Sequence, residues 1–202
     1  MQRWATFDCY GTLIDWNGGI LRELEPEIEQ DSSLPYRAVL AGTLIRLAEE
    51  EGLSIPEGES DALARSLPGW EPFPEVPDAL AELRGRGWNL VILSNSDRDL
   101  ITESMKRIGV PFDLAVVAGE IGSYKPAHAH WEQFFEITTA DKEHHVHVAA
   151  SLVHDIAPAR ELGLRSVWVN RLGERAEPKP DRELPDLGKL PDTLDELVPA
   201  DA

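Results

Sequence analysis

Apolar residues fall along this chain in two rhythms. Short, nearly solid runs occur at Trp4-Ala5-Thr6-Phe7, Asn89-Leu90-Val91-Ile92-Leu93, Leu114-Ala115-Val116-Val117, Val146-His147-Val148-Ala149 and Ser166-Val167-Trp168-Val169. Runs this short, bounded by turn residues, predict buried strands. Between them the spacing becomes helical. Helices are expected over Pro77 to Arg84, with Gly85 and Gly87 as stops, over Leu100 to Ile108, over a segment containing Trp131 to Ile137, and over Ile156 to Leu162 before Gly163. Strands that alternate with helices form a parallel sheet, because each parallel connection has to cross over. The expected fold class is α/β, with a doubly wound parallel sheet.

One stretch breaks the alternation. From Gly18 to about Gly69 the apolar positions Ile20, Leu21, Leu24 and Ile28, then Val39, Leu40, Leu44, Ile45, Leu47 and Ala48, keep helical spacing, and Ser60 to Leu67 adds a shorter helix. No strand pattern interrupts them, so an all-helical insert is expected. Residues 173–191, rich in Pro and charge, read as an ordered surface loop or tail. With 202 residues, one domain carrying a small insert accounts for the chain.

Charge narrows the function. Asp and Glu number 37 against 19 Lys and Arg, a formal net charge of −18. That field repels phosphate backbones and anionic membrane surfaces, and an anionic substrate would need a local cationic pocket. No run approaches the roughly 18 apolar residues of a membrane span, and Asp8 interrupts the place where a signal peptide would be apolar. The single cysteine, Cys9, has no internal disulfide partner. A cytoplasmic protein is expected.

In open parallel sheets, ligands bind beyond the carboxyl ends of the strands. The residues there are Asp8 to Thr12 after the first run, Ser94 and Asn95 after the second, Lys125 after the third, and Ala150, Ser151 and Asp155 after the fourth. A carboxylate, a hydroxyl, an ammonium and a second carboxylate thus meet at one sheet edge. Cys9, next to Asp8, should point to the opposite side of the strand and pack there. His128, His130, His144, His145 and His147 match no closed zinc site.

Phe7-Asp8-Cys9-Tyr10-Gly11-Thr12-Leu13, Leu93-Ser94-Asn95, Tyr124-Lys125-Pro126 and Ser151-Leu152-Val153-His154-Asp155 resemble the four ordered motifs of the haloacid dehalogenase superfamily. The resemblance runs from residue 4 to about residue 171. It implies a Rossmann-like core over residues 1–15 and 73–202, a helical cap inserted at residues 16–72, and Asp8 as a covalent nucleophile. Most members are magnesium-dependent phosphatases with a second Asp two residues after the nucleophile and an acid just before the fourth-motif Ser. Here those positions are Tyr10 and Ala150. The pattern Asp-x-Tyr-Gly-Thr resembles the 2-haloacid dehalogenase branch instead, which needs neither metal nor cofactor.

That likeness implies catalytic roles for Asp8, Lys125, Asp155 and Ser94. It implies a substrate-binding set of Thr12, Tyr10, Asn95, Ser151, Trp16, Trp131 and a cap arginine, Arg37 by position with Arg46 second. The chain departs from the branch at Leu152, where Asn is usual, at Ala150, where Ser is usual, and at Trp131, where Tyr is common. His154 is placed to replace the lost Asn in holding water. The expected partner is a small anionic molecule, with no nucleic acid and no membrane, and a homodimer stays open. Two rival functions are a phosphatase with an atypical acid group and a catalytically impaired binding domain.

Overall fold

Each of the five apolar runs is a strand. In a computed structural model, which describes residues 1–15 and 34–200, these are β1 (Arg3–Phe7), β2 (Trp88–Ser94), β3 (Leu114–Val117), β4 (His145–Ala149) and β5 (Arg165–Val169), and a sixth, β6 (Arg182–Leu184), joins them. They hydrogen-bond in the order β3-β2-β1-β4-β5-β6, and every pair is parallel. The chain runs outward one way from β1 and then the other, so the switch point lies at the carboxyl ends of β1 and β4, where such folds form a crevice. The fold is α/β, Rossmann-like, with helices on both faces.

Alternation along the strands sorts the core into two layers. Ala5, Phe7, Leu90, Ile92, Val146 and Val148 face one way. They share one apolar cluster with buried residues of α1 (Tyr36–Glu50), α2 (Ala62–Ser66), α3 (Val76–Gly85), α4 (Arg98–Ile108) and α8 (Leu190–Leu197), and of a tight turn at Leu67–Gly69. Trp4, Val91, Leu93 and Val116 face the other way, onto Trp131 and Phe134 of α6 (Ala129–Ile137) and Ala159 of α7 (Ala157–Glu161). A one-turn helix, α5 (Ala118–Ile121), follows β3 directly.

Two expectations change. Residues 173–191 are not simply a loop, since they contain β6 and lead into α8. Three residues are too few to display alternation. β6 is recruited by its neighbour through Asn170 N–H donating to Leu184 O at 2.7 Å. Leu187, Leu190 and Leu194 are then wholly buried. Asp195 of α8 secures the helix by accepting from Arg3 at 2.6 Å, Arg86 at 2.9 Å and the Trp88 indole at 2.9 Å. The helix expected over Ile156 to Leu162 is also divided, into a wide π-type turn at Leu152–Ile156 and then α7, with Pro158 in its first turn.

Asp15 N–H donates to Glu71 O at 2.9 Å and Phe73 N–H to Leu13 O at 3.1 Å, so the chain returns beside the point from which it left. We take this doorway as the boundary of the proposed cap. Of that cap, the helical spacing at Ile20 to Ile28 and Trp16 lie outside the described residues.

Candidate active site

The loop after β1 is built to turn Thr12 back onto Asp8. Asp8 N–H still pairs with Val148 O at 3.1 Å as though the strand continued. Gly11 then takes φ +83°, a backbone state that side chains disfavour, and the amides of Leu13 and Ile14 both donate to Cys9 O at 2.8 and 3.0 Å. The Thr12 hydroxyl donates to Asp8 Oδ2 at 2.8 Å and accepts from Ala150 N–H at 2.8 Å. One hydroxyl thereby orients the carboxylate and ties the loops after β1 and β4 together.

Lys125 reaches the other carboxylate oxygen. Its ammonium donates to Asp155 Oδ1 at 2.7 Å, Leu93 O at 2.9 Å and Asp8 Oδ1 at 3.0 Å. Three protons meet three acceptors, so the group is saturated. Asn95 fixes the lysine backbone from both sides, its amide donating to Lys125 O at 2.9 Å while its oxygen accepts from Lys125 N–H at 2.6 Å. Lys125 and Asp155 are 1% exposed at their side chains, and Asp8 is 13% exposed, the member of the trio open to a ligand.

Burial by itself would push the Lys125 ammonium down, but the charges of Asp155 and Asp8 outweigh it and hold the group above the ordinary lysine range. Burial would likewise raise Asp155, and the Lys125 charge together with the His147 hydrogen bond carries it below the ordinary carboxylate range. Both therefore stay charged around neutrality. Burial and then the Lys125 charge drive His130 down to about 3, so it is neutral, and its Nε2 lies 3.0 Å from Ser94 O at the end of β2. Burial also lowers His154, whose backbone N–H donates to Ser151 Oγ at 3.0 Å.

The other expected site residues divide into several roles. Ser94 is buried at the strand end. Ser151 caps the turn that carries Asp155, with its hydroxyl occupied by His154. Thr12 supports Asp8 through its hydroxyl, and Asn95 supports Lys125 with one donated and one accepted bond. Tyr10 is a correction of the same kind, since its hydroxyl pairs with Ser104 at 3.1 Å and its ring stacks on Tyr36 at 6.3 Å. Trp131 is a firmer correction. It is 0% exposed, packed between α6 and the sheet, and cannot touch substrate there. The Arg37 guanidinium is not brought to Asp8 but pairs with Asp99 of α4 at 2.5 Å.

Several supporting residues have no signal in the motifs. Asp97 accepts from the Tyr36 and Arg37 backbone amides at 3.3 and 3.2 Å, supplying the cap that Pro35 cannot give α1. Arg171 donates to Thr12 O at 2.9 Å, pairs with Glu75 at 2.7 Å and stacks over Phe73 at 3.5 Å. It joins the loop after β1 to the doorway at Asp15 and Phe73. His147 adjoins Asp155, and Thr6 in turn adjoins His147.

The phosphatases of the resembled superfamily hold magnesium, and the donors here do not fit that ion. Ala150 has no side-chain oxygen, Tyr10 is engaged with Ser104, and Asp155 Oδ1 receives both Lys125 and His147. Among the described residues no group of three His, Cys, Asp or Glu could hold a metal. A hard cation wants several free oxygen ligands. Among the described residues, no helix is long and apolar enough to cross a membrane.

The chain is 32% identical over 211 residues to the (S)-2-haloacid dehalogenase of Pseudomonas sp. (strain YL), covering 92% of this chain and 87% of that one. It is 31% identical over 154 residues to the phosphoserine phosphatase of Thermus thermophilus, covering 73% and 62%. The fold superposes on the L-2-haloacid dehalogenase of Xanthobacter autotrophicus with a TM-score of 0.84 at 20% identity, over 96% of this chain and 98% of that one. The family model of haloacid dehalogenase-like hydrolases matches residues 3–163. This chain belongs to the haloacid dehalogenase-like hydrolases.

Proposed function

We propose that this hydrolase removes halide from a small 2-halocarboxylic acid through an ester on Asp8, without a metal. The observation that carries the reading is the contact of Lys125 with Asp8 Oδ1 beside a Tyr10 whose hydroxyl is spent on Ser104. A phosphate ester needs its leaving oxygen protonated, and no second carboxylate stands two residues from Asp8 to do so. Halide leaves without a proton.

The Asp8 carboxylate oxygen attacks the carbon in line. Its lone pair becomes the C–O bond, and the C–halogen pair departs with the halide. Water then adds to the Asp8 carbonyl carbon, and the acyl C–O bond breaks. The 2-hydroxy acid leaves with an oxygen from Asp8, and the oxygen of water stays in the carboxylate. Of the two protons of water, one ends on the product hydroxyl and one is released. His154, neutral at pH 7 because burial lowers its pKa, is the base assigned to pass them. Ser94 and Arg37 receive the substrate carboxylate and halide, Arg37 leaving Asp99 to do so. A small anionic substrate in the cytoplasm goes with this reading.

The similarity to a phosphoserine phosphatase supports phosphate-ester hydrolysis as the second reading. One screen separates them. Chloro-, bromo- and fluoroacetate are compared with phosphate esters in excess EDTA and after magnesium addition. Haloacetate turnover that survives EDTA is the expected result. Turnover of phosphate esters alone, restored by magnesium, would replace the dehalogenase reading with the phosphatase. Activity toward neither class would favour a binding domain, with Leu152→Asn as the first reversion.

A further inference from the structure

A second line of polar groups lies beneath the Lys125–Asp155 pair. His147 Nε2 stands 3.0 Å from the same Asp155 Oδ1 that receives Lys125, and His147 Nδ1 stands 2.8 Å from Thr6 Oγ1. Thr6 Oγ1 is also 2.8 Å from His145 Nε2. Thr6, His145 and His147 are each 0% exposed. Register explains the meeting. Thr6 lies opposite His147 across β1 and β4, and His145 shares the face of His147. Trp131 closes over His147 with ring centroids 5.2 Å apart, and Phe134 and Phe135 enclose His145 at 5.3 Å each.

Proton positions follow by elimination. Asp155 is charged and its Oδ1 only accepts, so His147 Nε2 carries a proton. Were His147 Nδ1 protonated as well, Thr6 would accept there and donate to His145 Nε2. The remaining His145 proton would sit on Nδ1, which is buried and has no partner, and an orphaned buried N–H is costly. With His147 neutral every donor is used. His145 Nε2–H donates to Thr6, the Thr6 hydroxyl donates to His147 Nδ1, and His147 Nε2–H donates to Asp155. Only a lone pair on His145 is left bare. Burial holds His145 well below its usual pKa, in keeping with that neutral ring.

We propose that His147 is a positioning residue for this site, a neutral imidazole locked through Thr6 and His145 in the tautomer that donates to Asp155 Oδ1 and so holds Asp155 where it aims Lys125 at Asp8. The catalytic consequence rests on the function proposed above, whereas the tautomer does not. The full chain labelled with nitrogen-15 tests the tautomer at pH 7, the His147 signals being assigned by their loss in His147→Gln. A pyrrole-like Nε2 and a pyridine-like Nδ1 are expected. An imidazolium, or a proton on Nδ1 alone, would overturn the proposal.

Kinetics test the consequence. His147→Leu should lower kcat roughly 10- to 100-fold, the range of one hydrogen bond to a charged group, with KM little changed. His147→Gln, whose amide reaches about as far as Nε2, should recover most of that loss. A residue that only filled space would favour Leu over Gln, so equal kcat in parent and Leu variant, or Gln worse than Leu, refutes the assignment. If the Leu variant does not fold, Thr6→Val cuts the chain one link back in nearly the same shape and should also lower kcat at constant KM; unchanged kcat in that variant counts against the proposal. A parent enzyme inactive on haloacids would sink the dehalogenase reading alone, and the nitrogen spectrum would still decide His147.

Discussion

Lys125 Nζ lies 2.7 Å from Asp155 Oδ1, with both side chains 1% exposed. A pair so deeply buried has paid a large desolvation cost, and removing one member strands the other as an uncompensated charge. Lys125→Met should therefore cost about 3–5 kcal/mol of stability and lower kcat/KM at least about 10²-fold through the loss of charge at Asp8. Lys125→Met with Asp155→Leu should regain part of the stability and none of the activity. Denaturant titration and haloacetate kinetics on both variants separate the two effects, and a double variant as unstable as the single one would contradict the account.

Stability should fall on the acid side from near pH 6.5. His130 is pushed from 6.5 to about 3, and His145 and His154 are lowered as well. Below about pH 6.5 the unfolded chain takes up protons that the folded chain refuses, so their contribution is present above that pH and lost as pH falls. Asp155, held low, adds a further loss below about pH 4, while Lys125, held high, loses its share only above about pH 10. Each histidine adds at most about 1.4 kcal/mol per pH unit to the slope. Urea midpoints from pH 8 to pH 4 check this, and His130→Gln should remove about one proton from the slope. A flat curve from pH 6.5 to 4 would mean that these rings are solvated.

The meeting of Asp8, Lys125 and Asp155 was readable because ligand sites in a parallel sheet gather at strand ends. Asp8, Lys125 and Asp155 needed only the position of each run. The duties of their neighbours were not readable. Thr12 and Asn95 have polar groups suited to a substrate, but the Thr12 hydroxyl donates to Asp8 and accepts from Ala150 N–H, and Asn95 exchanges one bond each way with the Lys125 backbone, pairings that depend on how the loops close. His147 looked like a stray histidine because its partner Thr6 is set by cross-strand register. β6 escaped notice since three residues in a charged stretch carry no period.

Arg37 joins Asp99 in a surface pair whose side chains are 45% and 63% exposed. Exposed pairs contribute roughly 0–1 kcal/mol, so an anion arriving at Asp8 can draw the guanidinium away at little cost. Arg37→Ala should leave stability within about 1 kcal/mol and reduce kcat/KM by about 10²-fold. Asp99→Asn, which frees the arginine, should leave KM unchanged or lower it. Parent-like kinetics in Arg37→Ala would take Arg37 out of the reaction.

Asp97 and Gly119 report how the first turn of α1 is held. The Asp97 carboxylate accepts the first two backbone amides of α1 from across the site, and a Cβ on Gly119 would stand 2.7 Å from Asp97 Oδ1. Asp97→Ala should cost about 0.5–2 kcal/mol, as the loss of a helix cap does, and should make α1 an earlier site of proteolysis. Gly119→Ala should push the carboxylate off the amides and destabilise to a similar degree, although Ala in a helix is normally favoured over Gly by about 1 kcal/mol. The two changes cannot add, because the clash has no partner once Asp97 is gone. In the Asp97→Ala background, Gly119→Ala should become neutral or stabilising, reversing its sign. A double-mutant cycle by urea denaturation measures this directly. Additive losses would mean that Gly119 is required for some reason other than room for the carboxylate that caps α1.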